Sequence, residues 1–234
     1  MKKSEGKSRQ ILLQHDKSFL DQGFSSLAGV DEAGRGPLAG PVVASAVIVR
    51  DFSFLLKVDD SKLLTPAARA AAFEEIIEKG VVGIGVVDSE RIDEINIYEA
   101  THRAMEEAVM KLAQAPDCIL VDGGKPPRLP FKQFPIVDGD AKSFSIACAS
   151  IVAKVIRDRM MDYYDGIYPQ YGFKKHKGYG TAEHLAALKK YGPCKIHRKS
   201  FEPVRSRVSL RGSEATEAIY VKQRLLRRPS ASSQ

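Results

Sequence analysis

The sequence predicts an α/β fold, a mixed β-sheet flanked by helices with a small helical C-terminal extension. Three observations carry this. Two apolar segments, residues 27–31 and the Val- and Ile-rich 42–49, are separated by Gly-Pro signals and so read as paired strands of a hairpin. Further short apolar runs downstream alternate with segments of helical periodicity, the order that builds helix-covered sheets. Acidic residues stand at the ends of these runs, where open α/β sheets bind ligands.

In chain order, residues 1–10 read as a flexible polar arm, and 11–22 as a short helix with Ile11, Leu12, His15 and Phe19 at helical spacing. After the hairpin, Thr65-Pro66 opens a helix, Thr as N-cap and Pro at the first helical position; it runs to Lys79 and Gly80 stops it. Residues 81–87 form a third strand whose unbroken apolar run implies burial on both faces. Residues 93–113 carry Ile97, Ala100, Ala104, Ala108 and Leu112 along one stripe, a long amphipathic helix. A short strand at 117–121 ends at Asp122. After the rigid Pro126-Pro127-Arg128-Leu129-Pro130 connection, a strand at 134–137 leads to Asp140. Residues 143–164 are helical, and a small helix at 182–191 follows a Gly-rich loop. Residues 11–204 are expected to form one domain. Residues 205–234 read as a basic tail, partly helical (214–226) or disordered, with 229–234 disordered.

The chain has 234 residues, 44% of them hydrophobic, enough for a substantial core. Its net charge of +7 is unevenly spread: residues 171–234 hold 15 Lys and Arg against 4 Asp and Glu, residues 1–170 hold 21 against 25. That division suits an enzyme binding metal in one place and a polyanion in another; a solvated basic surface is the plain alternative. Cys118, Cys148 and Cys194 are far apart with no Cys-x-x-Cys, which argues against structural zinc and a disulfide framework. Cys118 and Cys148 read as core thiols, and a reducing cytoplasmic location fits. The longest uncharged stretch, 36–49, is broken by Pro and Gly and falls short of the roughly 20 apolar residues that span a bilayer. The first residues, Met1-Lys2-Lys3-Ser4-Glu5-Gly6, lack the apolar run of a secretory signal.

The chemistry centres on Gly29-Val30-Asp31-Glu32-Ala33-Gly34-Arg35-Gly36, with Asp122 and Asp140 downstream. Phosphodiester hydrolysis needs a nucleophilic water, neutralised charge at phosphorus and a stabilised leaving oxygen. Two divalent ions, Mg²⁺ or Mn²⁺, ~3.5–4 Å apart supply all three. Such ions take oxygen ligands, and Asp31, Glu32, Asp122 and Asp140 are the candidates. Neighbouring strand residues face opposite ways, so the strand is expected to end or bulge at Asp31-Glu32. Asp31 would then bridge both ions, and Glu32 would contribute less directly, partly through its carbonyl. Any one of these acids could instead be a solvated strand end, but apolar neighbours place Asp31, Asp122 and Asp140 at core edges, where unpaired carboxylates are costly. Asp158, between Arg157 and Arg159, reads as a structural ion pair, with a fourth metal ligand as the alternative.

Residues 28–42, beginning Ala28-Gly29-Val30-Asp31-Glu32 and running through Gly34-Arg35-Gly36-Pro37 to Val42, resemble the opening signature of ribonuclease HII. So do Asp60-Ser61-Lys62, Val121-Asp122-Gly123, Gly139-Asp140 with 149–158, 168–173 through 176–181 with His184-Leu185, and His197-Arg198-Lys199-Ser200-Phe201. The resemblance covers about residues 11–204 and is specific because the blocks keep the family's order and spacing. It implies a ribonuclease H-like fold. It implies an endonuclease that hydrolyses the RNA strand of RNA/DNA hybrids and cuts 5′ of single ribonucleotides embedded in duplex DNA, leaving 3′-OH and 5′-phosphate ends. The four acids match the family's catalytic metal-binding quartet, Gly34-Arg35-Gly36 its motif for the ribose 2′-OH, and Tyr179 the tyrosine packing on the junction sugar. Type III relatives typically carry Lys at the middle of that motif and an extra N-terminal domain, so Arg35 and the short arm favour type II.

The residues suit these roles. The 2′-OH distinguishes RNA from DNA, glycines admit close backbone approach, and Arg35 offers a planar fork. Tyr179, between Gly178 and Gly180 and after Lys174, Lys175, His176 and Lys177, suits a nucleic-acid groove. Lys62, His197 and Arg198 are candidate phosphate contacts, each with surface or structural alternatives; His176 as a mobile proton donor is considered and not favoured. No Gln–aliphatic–paired-aromatic pattern stands near the C-terminus, so no sliding clamp or other obligate protein partner is expected, and a monomer suffices. The rival function is a non-catalytic RNA/DNA-hybrid-binding protein using residues 171–234, whose binding would ignore Mg²⁺.

Overall fold

The computed structural model describes residues 2–54 and 64–207; Lys62 and the segment 214–226 lie outside the described residues. Five strands form one sheet in the order β3-β2-β1-β4-β5: β1 Leu27–Ala33, β2 Val42–Val49, β3 Gly80–Val87, β4 Cys118–Asp122 and β5 Lys132–Ile136. The hairpin expectation holds, β1 pairing antiparallel with β2 and β2 with β3. β4 joins β1 in parallel, and β5 joins β4 in parallel, so the sheet is mixed.

Helices cover both faces. α1 (Lys2–Leu20), α2 (Pro66–Lys79) and α4 (Phe144–Ile167) lie on one side, where Leu12, Phe73, Ile76, Phe144, Ile151 and Val152 pack with Val47 of the sheet. α3 (Ser89–Met110) covers the other, where Ile92, Ala100, Ala104 and Ala108 meet Val30, Val42, Ala44 and Val121. α5 (Phe173–His176) and α6 (Ala182–Tyr191) form the small C-terminal helical region. The expected cap forms at Thr65, which accepts from the Ala68 N–H; Ser143 and Thr181, not anticipated as caps, accept from the Ile146 and His184 N–H groups. Buried Asp16 of α1 accepts from Ser143 Oγ (2.6 Å) and the Ser145 N–H (2.7 Å), placing a carboxylate at the positive end of α4.

Several boundaries differ from the sequence expectations. α1 begins at Lys2 rather than at residue 11, because a helix once nucleated extends through the Pro-free, Lys-, Ser- and Gln-containing stretch before it. β3 is an edge strand, alternately buried and half-buried, rather than doubly buried. Its buried positions include Gly83 and Gly85, pressed against α3. A Cβ there would lie 2.0 Å from the Ala108 carbonyl and 1.9 Å from that of Ala104. α3 begins earlier than expected and is two segments, broken at Asn96 (φ 66°), whose Oδ1 accepts from the Tyr98 and Glu99 N–H groups as an internal cap. Cys118 and Cys148 are buried free thiols, as expected. Among the described residues no helix is long and apolar enough to cross a membrane.

Gly29 sets the spacing between β1 and α4, since a Cβ there would lie 2.1 Å from Ser145 carbonyl carbon and 2.3 Å from Ile146 nitrogen. A Gly29→Ala substitution is therefore expected to destabilise the protein by roughly 1–3 kcal/mol or more, read as a lower urea midpoint.

Candidate active site

The site forms where two strands part. β1 and β4 stay in register from Leu27↔Cys118 to Val30↔Val121, after which β1 continues only with β2, through Ala33↔Val43. Asp31 and Glu32 occupy β1 just past that fork, and Asp122 ends β4. Carboxylate oxygens of all three lie within 4.8 Å of one another. The expected end or bulge at Asp31-Glu32 is absent; pairing with β2 is regular there. The opening comes instead from the partner strand, since β4 no longer flanks β1 at these positions.

Asp31 is almost fully buried, and its Oδ1 accepts the Glu32 N–H at 2.7 Å. Asp122 Oδ1 accepts the Gly139 N–H at 2.6 Å. Asp140 lies outside the three-carboxylate group, in the adjoining 3₁₀ turn Gly139–Ala141, where it too is buried. Burial, then the Glu32 and Asp122 charges, hold the Asp31 carboxyl well above its ordinary range, against an opposing hydrogen bond from Ser150. Burial also raises Glu32, with Arg35, 3.3 Å away, pulling the other way. Crowded, partly desolvated carboxylates, with Arg35 beside Glu32, fit a hard divalent cation, which accepts oxygen ligands and cancels their repulsion.

Together with these acids, Gly34-Arg35-Gly36 and half-exposed Tyr179 line a cavity of about 260 Å³. Gly34 has φ +100°, and a Cβ there would meet the Arg157 side chain at 2.1 Å; a Cβ on Gly36 would lie 3.6 Å from Tyr179 Cε1. Sequence reasoning missed Ser150, Lys154 and Arg157, which line the same cavity. Their spacing along one face of α4, polar positions within an apolar helix, was the available signal. Asp158 pairs with Lys154 (2.7 Å) and Arg69 (3.8 Å), as a structural ion pair, though not with its arginine neighbours.

His197 and Arg198 are corrected. Both are buried, so neither is a surface contact for phosphate. Arg198 spends its donors on the carbonyls of Gly34, Arg35 and Gly40, and Arg157, also buried, on those of Ala39, Pro41 and Lys177. His197 Nδ1 accepts the Cys194 N–H, so its Nε2 carries the proton and donates to His184 Nε2 at 3.0 Å; His184 Nδ1 in turn donates to the Tyr179 carbonyl at 2.9 Å. His176 is likewise fixed, Nδ1 accepting from the Gly178 N–H and Nε2 donating to the Tyr171 carbonyl. His197 and His184 each use one ring nitrogen as donor and the other as acceptor, so a further proton on either would break a bond. Burial pushes His197 down to about 3 and lowers His184.

Two predictions follow from these shifts. Between the ordinary histidine value of 6.5 and about 3, the folded state binds fewer protons at His197 than the unfolded chain, so stability falls on acidification through that window. A His197→Phe variant is expected to lose that part of the slope in urea titrations across pH. For Asp31 the sign reverses: its raised value makes the folded state bind more protons, so its ionisation costs stability as pH rises above 3.8. With metal chelated at pH 7, Asp31→Asn is expected to melt at a higher temperature than wild type, and to gain less on adding Mg²⁺.

Known proteins share this sequence and architecture. The sequence model of the family described as ribonuclease HII matches residues 28–204. The ribonuclease HII of Bacillus pumilus is 52% identical over 199 residues, covering 85% of this chain and 78% of the relative. The ribonuclease H2 of Pyrococcus horikoshii OT3 superposes with a TM-score of 0.66 at 28% identity, covering 78% of this chain and 96% of that one. An Archaeoglobus fulgidus ribonuclease HII, solved in complex with PCNA, superposes with a TM-score of 0.66 at 26% identity, covering 76% and 96%. With its fold and most of its length shared in this way, the chain belongs to the ribonuclease HII family and is an endoribonuclease acting on RNA/DNA hybrids.

Proposed function

We propose that this enzyme cuts on the 5′ side of a ribonucleotide, including a single one embedded in duplex DNA, and leaves 3′-OH and 5′-phosphate ends. The observation that carries the reading is the shared cavity, lined by three crowded carboxylates together with Gly34-Arg35-Gly36 and Tyr179. Asp31, Glu32 and Asp122 hold divalent metal, Mg²⁺ or Mn²⁺, with Asp140 completing the set from its neighbouring turn. Two such ions, when bound, supply an activated water, charge neutralisation at the phosphate and a stabilised leaving oxygen.

The chain's own groups select and orient the strand. The loop backbone approaches the ribose closely because Gly34 and Gly36 carry no side chain, and the 2′-OH there separates RNA from DNA. The Tyr179 ring packs on the adjoining sugar, held from behind by His184 on its carbonyl. Arg35, exposed beyond its contact with Glu32, offers its fork to a phosphate. Lys174 and Lys175 give the neighbouring surface a positive face for the duplex, and Lys62 remains a candidate phosphate contact. The substrates are RNA/DNA hybrids and ribonucleotide-containing duplexes, on which the enzyme acts as a monomer. The Archaeoglobus fulgidus relative was solved in complex with PCNA; for this chain no obligate protein partner is proposed. A non-catalytic hybrid binder would have no use for carboxylates held desolvated against their own repulsion, and basic patches alone would serve it.

The test is a DNA duplex carrying one ribonucleotide, incubated with and without Mg²⁺ or Mn²⁺, with the cut mapped. Metal-dependent cleavage 5′ of the ribonucleotide is expected. Asp31→Asn and Asp122→Asn are each expected to slow it by about 10³-fold or more, several kcal/mol of lost charge stabilisation, while binding in Ca²⁺ persists. Tight binding with no cleavage by wild type would overturn the reading.

A further inference from the structure

We propose that Arg198 is a positioning residue for ribose recognition. From beneath the Gly34-Arg35-Gly36 loop, its guanidinium orients two consecutive peptide planes so that the Arg35 and Gly36 N–H groups project together into the cavity as a paired donor. The proposal deepens, and rests on, the reading of this loop as the ribose reader.

Arg198 is completely buried. Its Nη2 donates to the Gly34 carbonyl at 2.5 Å and its Nη1 to the Arg35 carbonyl at 2.8 Å. In a trans peptide the C=O and N–H of one plane point in opposite directions. The Gly34 carbonyl shares its plane with the Arg35 N–H, and the Arg35 carbonyl shares its plane with the Gly36 N–H. Two carbonyls drawn inward to one guanidinium therefore send two consecutive N–H groups outward. Outward is the exposed side of Arg35 and Gly36, which faces the cavity shared with Asp31, Glu32 and Tyr179. Gly36 and the Tyr179 ring bracket one space, since a Cβ on Gly36 would touch Cε1 at 3.6 Å.

The clamp is itself well anchored. Arg198 Nε holds the Gly40 carbonyl at 3.0 Å, its own N–H donates to the Leu38 carbonyl at 2.9 Å, and its guanidinium lies 5.1 Å from the centroid of the Phe201 ring. Arg157 separately fixes Ala39 and Pro41, so the return of the loop is held without Arg198. What Arg198 adds is the tilt of the planes at 34–36, with a positive charge behind two carbonyls that polarises both N–H groups toward an acceptor. A lysine ammonium presents no planar fork and would not hold both carbonyls in this geometry.

The experiment compares full-length wild type, Arg198→Lys and Arg198→Gln. It measures binding in Ca²⁺ to two duplexes identical but for one central ribonucleotide. Both variants are expected to bind the all-DNA duplex as wild type does, while their preference for the ribonucleotide duplex falls roughly tenfold, the worth of one to two hydrogen bonds. Folded variants that keep the wild-type preference would overturn the proposal. Should neither variant fold, the ¹⁵N-labelled wild type decides. Its Arg35 and Gly36 amide protons are expected to move downfield with the ribonucleotide duplex and not with all-DNA, and equal responses would overturn it. Wild type that neither prefers nor cleaves the ribonucleotide duplex would show the fault to lie in the reading of the loop itself, and the proposal falls with it.

Discussion

Two buried guanidiniums facing backbone carbonyls are the constraint on which this structure turns. Burying an arginine is expensive unless each donor finds a partner. Arg157 and Arg198 find theirs in the segment between Gly34 and Pro41 and in the Lys177 carbonyl. The same bonds serve the carbonyls, which a buried loop would otherwise leave unpaired. Desolvation draws Arg157 down to about 10 and Arg198 to about 9, still above neutral pH, so both keep their charge. The loop after β1 is thereby fixed as firmly as the strand before it, and the C-terminal region is tied to the same segment through the Ala39–His197 bridge.

That rigidity gives the acidic cluster its character. Asp31 sits within a strand paired on one side with β2 and packed beneath α4, so it has little room to swing away from Glu32 and Asp122. Like charges on a mobile loop would separate and stay hydrated. Here the sheet holds them together, the repulsion appears as raised carboxyl values, and the fold carries the cost. The geometry for a divalent cation is prepared before any cation arrives, which is what a site on regular strands offers over one on loops.

Much of this was legible because it was local. Thr65-Pro66 caps the helix that follows, and a cap is decided within three residues. The acids declared themselves by ending apolar runs. What escaped was decided at long range. Nothing near Arg198 reveals that its partners lie some 160 positions earlier, so an arginine beside a histidine and a lysine read as a phosphate contact. The regular pairing through Asp31-Glu32 escaped for a related reason. The break was sought in the strand carrying the acids, whereas it belongs to β4, whose end on the neighbouring strand sets the opening.

The histidines show how the far side of the site depends on this framework. His197 donates to His184, and His184 to the carbonyl of Tyr179, so a relay of neutral rings starting at Cys194 ends on the residue that faces the loop glycines. Tyr179 keeps its ring half-exposed while its backbone is held from within. The loop opposite is held from within as well, by Arg198, the very next residue after His197. One short segment, His197-Arg198, thus braces both walls of the cavity, the tyrosine wall through neutral hydrogen bonds and the glycine wall through a charged fork. Neutral imidazole suits the first, because a charge there would face two further histidines in a desolvated cluster. A permanent cation suits the second, because only a guanidinium keeps its charge and its fork when buried against carbonyls. The two side chains are therefore not interchangeable, and their order along the chain follows from which wall each must reach.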